Sequence, residues 1–195
     1  GIDVPPGVPP ASGGVTTSGD PSIAALPSLP ANWPSTKLEL GQSDGPGGAA
    51  AMAAVAPYEF RYQYLAGGVN TGNGWANWNT NGHFVTYYIQ DSIAQGITPG
   101  FTYYMMYQST PGNAQGEYDG VYTNLNNTST MTAYYNDLKL FFQRAGAFSS
   151  PVILHVDPDL WGYIQQRSTG DNATTVSAKV AATGLAELAG LPNNA

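Results

Sequence analysis

The chain has 195 residues, no cysteine, a formal net charge of -7 and only 10% charged side chains. Six Lys and Arg spread along that length build no phosphate-binding stripe, which argues against nucleic acid as a partner. The missing thiols rule out disulfides, thiolate nucleophiles and cysteine-type zinc sites, and no apolar run approaches the ~20 residues of a membrane span.

Residues 1–35 carry Pro5, Pro6, Pro9, Pro10, Pro21, Pro27, Pro30 and Pro34 among Gly, Ser, Thr and Ala. A stretch of this composition buries too little apolar area to offset its ordering entropy, so it is expected to be a Pro/Gly/Ser-rich linker or arm. Beyond it, residues 36–195 alternate between strand and helix patterns. Residues 37–41 read as a short strand, and residues 47–55 as a small-residue helix ended by Pro57. Residues 60–65 form a second strand, closed by Gly67 and Gly68, and residues 84–93 a helix stopped by Gly96. The aromatic and Met run over 101–107 predicts a strand covered on both faces. Residues 131–145 are the clearest helix, with Met131, Tyr134, Tyr135, Leu138, Phe141 and Phe142 on one stripe and Arg144 in the last turn. A strand from Val152 and an Ala-rich helix over 174–188 complete the series.

About four strand–helix units in order predict an α/β fold with a parallel sheet. A closed (β/α)8 barrel needs roughly 250 residues, and only about 160 follow the linker. The expectation is therefore a partial barrel, the N-terminal half of a larger one, or a small open parallel sheet.

The richest stretch for chemistry is Val152-Ile153-Leu154-His155-Val156-Asp157-Pro158-Asp159-Leu160-Trp161. On an extended chain His155, Asp157 and Asp159 project to one side, and Pro158 stops the ladder, leaving Asp159 at the strand's mouth. Two carboxyls and an imidazole at the carboxyl end of a buried strand suit proton transfer; the plain alternative is a strand end in which Asp159 caps the next helix. The three could also hold a metal, although metals usually draw on more dispersed ligands, and neither a metal nor a cofactor is expected. The loop over 66–79 sets Trp75 and Trp78 among Gly and Asn, without a P-loop lysine or dinucleotide spacing. A carbohydrate platform fits these indoles, as does a loop folded under them. Tyr107 and Gln108 close the third strand, and Glu117 and Asp119 fall in the following loop, as sugar-facing or merely solvated groups. Asp91 and Asp137 sit in helices and are expected to face water.

The Val156-Asp157-Pro158-Asp159-Leu160 segment resembles the strand end of family-six glycoside hydrolases, in which a Glu-Pro-Asp motif precedes a short helix. The likeness extends from Phe101 to Gln166, about a third of the chain, through similar spacings of the Tyr134–Ala145 helix and the Gly116-Glu117-Tyr118 loop. Asp157 replaces the motif's Glu, and Asp159 matches its general acid. The family's preceding strand ends in a loop with an Asp, whereas Tyr107-Gln108-Ser109 carries no carboxylate here. The resemblance implies inverting hydrolysis of a β-linked glucan-like chain by a secreted or cell-surface enzyme. Asp159 would be the acid, its pKa raised by Asp157 and by burial against Trp161, and the base would come from elsewhere. Substrate contacts would come from Trp75, Trp78, Trp161, Tyr107, Gln108 and Glu117, and the partner would be a polysaccharide or oligosaccharide. A carbohydrate-binding or wall-associated domain without catalysis, and another barrel activity such as deacetylation, remain open.

Overall fold

The computed structural model describes residues 39–195. The arm expected over 1–35, and Lys37 and Leu38 of the first expected strand, lie outside the described residues. Four strands, β1 (Gly41–Ser43), β2 (Phe60–Leu65), β3 (Thr98–Tyr103) and β4 (Ile153–Val156), form one parallel sheet in the order β1-β2-β3-β4. The sheet is open, with β1 and β4 as its edges, so the described residues close no barrel. The helices are α1 (Ala49–Val55), α2 (His83–Ala94), α3 (Glu117–Leu125), α4 (Thr128–Ala145) and α5 (Pro158–Arg167). No helix among the described residues is long and apolar enough to cross a membrane.

Alternation along the strands assigns the two faces. Arg61 and Leu65 of β2, Phe101 and Tyr103 of β3, and Leu154 and Val156 of β4 turn toward α2 and α4. Phe101 meets Tyr88 of α2 at 5.2 Å and Phe141 of α4 at 5.4 Å, and Tyr103 meets Tyr134 at 5.5 Å between ring centroids. Both helices therefore pack on one face. Helix α4 starts a turn earlier than its apolar stripe, because the Asn127 side chain accepts from the Thr130 amide and caps it.

Several expected elements differ. Strand β1 begins at Gly41, where the expected strand ended. At Gly41 a Cβ would stand 2.9 Å from that of Phe60, so the pairing accepts only glycine without a shift. Strand β3 runs over Thr98–Tyr103 rather than 101–107. The amides of Met105 and Met106 leave the ladder to donate to the Asp157 carboxylate, each at 2.9 Å. The loop expected around Glu117 and Asp119 is the first turn of α3, where both carboxylates complement the helix dipole.

The Ala-rich helix expected over 174–188 does not form. The segment is an extended strap with isolated 3-10 turns at Ala173–Thr175, Ala181–Thr183 and Ala186–Leu188. Val176, Ala178 and Val180 are buried at a period of two, and the Lys179 amide donates to the Leu125 carbonyl. Asn193 also holds the strap, its carbonyl accepting from Ala178 and its side chain from Val180 and Ala182. Tertiary pairing overrides alanine's helix propensity here.

Candidate functional site

The carboxyl ends of β3 and β4 bring the chemically versatile side chains together. His155, opposite Thr102 in the register, is exposed on the sheet face turned away from α2 and α4. An extended chain would bring Asp157 to that same face. Instead Asp157 takes a left-handed conformation, φ 37° and ψ 66°, and its side chain turns inward. It is 2% exposed. Its Oδ1 accepts from the Met105 and Met106 amides, its Oδ2 accepts from the Tyr134 hydroxyl at 2.6 Å, and its own N–H donates to the Tyr103 carbonyl. Burial pushes its pKa up to about 6 against the lowering effect of these three donors. The expectation that Asp157 faces a groove beside His155 and Asp159 is thus corrected: it is a clamp between β3, α4 and β4.

Asp159 lies in the first turn of α5 and is exposed, so the burial against Trp161 expected for it is absent. It accepts no hydrogen bond among the described residues. Its charge acts on the phenols of Tyr104, at the exit of β3, and Tyr163, on α5. Tyr104 also donates to Glu117 Oε1 at 2.5 Å, and the charge of Glu117 acts on Tyr163 as well. Burial, then Glu117 and Asp159, hold both phenols above the ordinary tyrosine range. Two carboxylates from different helices thereby lie near Tyr104 at the carboxyl end of the sheet, one bonded to its phenol and the other acting on it by charge alone, at the end where open α/β sheets gather ligands.

The other expected contacts separate into exposed and structural groups. Trp75 is fully buried and cannot stack on a sugar; its indole N–H donates to Asp137 at 2.6 Å, beside the Tyr103 hydroxyl at 2.7 Å. Asp137, expected to face water, closes this network, and burial raises its pKa. Trp75→Phe removes one of its two donors and is expected to cost about 1–3 kcal/mol in urea unfolding, with an unchanged midpoint as the contrary result. Asp91, also expected in water, pairs with Arg61 at 2.7 Å. Gln108 is half-buried, its side-chain oxygen accepting from the Gly67 amide at 2.5 Å, which ties the loops after β2 and β3 together. Half-buried Tyr107 donates to the Gln115 carbonyl. Trp78 and Trp161 are exposed. Trp78 donates to Asn73 O and sets its edge on Phe84, while Trp161 donates to Val156 O and lines a cavity of ≈ 380 Å³ with Met106, Leu138 and Ile164. Among the described residues, no three His, Asp or Glu side chains converge as a metal site, and His155, Asp157 and Asp159 point apart.

Sequence reasoning missed Tyr104, Tyr163 and the role of Tyr134. The helical spacing of Tyr118, Val121, Tyr122 and Leu125 is a readable signal for α3, hidden by Gly120 and the surrounding Asn residues. No protein-family model, curated protein or solved structure matches this chain.

Proposed function

We propose that the domain hydrolyses a polysaccharide, with Asp159 as the proton donor and Glu117 as the second carboxylate. The carrying observation is that Glu117 accepts from Tyr104 at the carboxyl end of β3 and β4, while Asp159, exposed in the first turn of α5, lies close enough for its charge to act on the same phenol. Glycoside hydrolysis needs one carboxyl to protonate the leaving oxygen and a second to activate water or attack the sugar. Glu117 accepts from Tyr104, and an ionised carboxylate is the better acceptor, which suits the second role. Asp159 has no donor aimed at it and is open to an approaching glycosidic oxygen. The likeness of the Asp157-Pro158-Asp159 segment to the acid motif of family-six glycoside hydrolases supports the same assignment.

The test is release of reducing ends from a panel of neutral β-linked glucans by the wild type, Asp159→Asn and Glu117→Gln. Each variant is expected to lose about 10²-fold or more in rate. Asp159→Asn should recover on aryl glycosides whose leaving group needs no proton. Full activity in Asp159→Asn, or no hydrolysis by the wild type, overturns the reading.

A second reading, carbohydrate binding without turnover, is favoured by the exposure of Asp159, which lacks the apolar enclosure expected around a general acid. Calorimetric binding of an oligosaccharide with no product formed would select it.

A further inference from the structure

Parallel sheets are ordinarily covered on both faces. Here α2 and α4 cover one, and the other carries Tyr62 and Tyr64, which are 42% and 50% exposed. The register places two rows of that face. Tyr62 aligns with Gly100 and then Ile153, and Tyr64 with Thr102 and then His155. Two rows result, each with a large ring on β2, a small residue on β3 and a second larger side chain on β4. Successive same-face residues are ~6.6 Å apart along a strand, and β2 and β4 lie ~10 Å apart across β3. The small residues on β3 thus floor a trough between two walls. Gly100 is itself buried, with the Tyr62 and Ile153 Cβ atoms 3.7 and 3.8 Å from where its own Cβ would stand, so the trough is shallow at that row and the Tyr64–Thr102–His155 row is its more open end. The Tyr62 and Tyr64 hydroxyls and the His155 imidazole have no hydrogen-bond partner among the described residues.

Charge and area select the occupant. None of these six residues is a carboxylate, lysine or arginine, while the chain as a whole bears -7. An anionic ligand is repelled, and a cationic one finds no carboxylate on the face. At 42% and 50% exposure the two tyrosines offer about 100 Å² each, and the whole trough about 300–400 Å². A stable protein interface needs ~800 Å² per partner. A neutral chain with apolar ring faces and hydroxyl edges matches what is present: rings to stack on, and hydroxyl and imidazole groups to bond. The trough also leads into the rim, because Tyr104 follows Thr102 on the same face and reaches Glu117.

We propose that this open sheet face is a binding trough for an extended neutral oligosaccharide, with Tyr62 and Tyr64 as its stacking wall and Thr102 and His155 as its polar side. The ligand class rests on the carbohydrate reading above; the location does not.

The experiment is titration of the ¹⁵N-labelled full chain with cellohexaose and, separately, mannohexaose, following amide and imidazole shifts, with light scattering on the same samples. The expected result is saturable change at Thr102 and at the His155 amide and ring. Tyr62→Thr and Tyr64→Thr, which keep strand propensity, should each weaken binding about tenfold. Shifts confined to Tyr104, Glu117 and Asp159 would overturn the trough and leave the proposed hydrolysis standing. Trough shifts without turnover would do the reverse. No shift with either sugar overturns the trough, as does a dimer that Tyr64→Thr dissociates, since a second copy would then occupy the face.

Discussion

Replacing Asp157 with alanine is expected to lower the domain's stability by about 3 kcal/mol or more. The change leaves the Met105 and Met106 amides and the Tyr134 hydroxyl without their acceptor in a buried site, and each orphaned donor costs about 1–3 kcal/mol. It also puts alanine at φ 37°, a conformation that asparagine and aspartate tolerate better. Asp157→Asn should be far milder, because its amide oxygen still accepts from both backbone amides and its NH2 can donate to Tyr134. The two variants also separate structure from chemistry: Asp157→Asn should keep whatever turnover the wild type has, whereas Asp159→Asn should not.

The same residue sets a pH dependence with a definite sign. A carboxyl raised from 3.8 to about 6 on folding favours the folded state when protonated. That contribution is fully present below about pH 4 and lost as the pH rises through about 6, a change of about 3 kcal/mol at 1.36 kcal/mol per pH unit. Asp137 shifts in the same direction and adds to the slope. Urea unfolding of wild type and Asp157→Asn between pH 4 and 7.5 should show the wild type losing stability relative to the variant as pH rises. Parallel curves would mean that Asp157 does not titrate in this window.

Arg61→Ala is expected to cost about 3–5 kcal/mol, the range for removing one partner of a buried ion pair. Arg61 is fully buried on the helix-facing side of β2. Its guanidinium contacts Asp91 at 2.7 Å and Ser92 at 3.1 Å, donates to the Gly45 carbonyl and lies over the Tyr88 ring at 4.1 Å. Asp91 in turn accepts from the Gly47 and Ala49 amides and so anchors the start of α1. Removing the cation strands Asp91 and loosens β1, α1 and α2 together. Arg61→Met restores the stem's packing but not the charge and should recover only part of the loss. A midpoint shift for Arg61→Ala no larger than that of Lys139→Ala, which breaks an exposed pair with Glu187, would refute this account.

Much of the scaffold is readable from residue pattern, because it rests on local periodicity. The apolar spacing over 131–145 and 84–93 places α4 and α2, and Pro57, Gly67 and Gly96 punctuate the units. The site was less legible. Asp157 and Asp159 look equivalent on either side of Pro158, and only the left-handed turn at Asp157 sends one carboxylate into the core and leaves the other in solvent. Trp75 and Trp78 likewise look alike three residues apart, yet one donates to Asp137 inside and the other lies exposed.

By itself, then, the sequence determined an α/β chain with parallel strands, its helix stripes and the segment in which the carboxylates cluster, since these follow from side-chain period and chain-breaking residues. Tertiary structure alone decided which acid is buried, that Glu117 meets Tyr104, and that the alanine-rich strap stays extended. Those outcomes depend on donors and acceptors apart in the chain, by 52 positions between Met105 and Asp157 and by more between Leu125 and Lys179, and no local pattern encodes a partner at such separations.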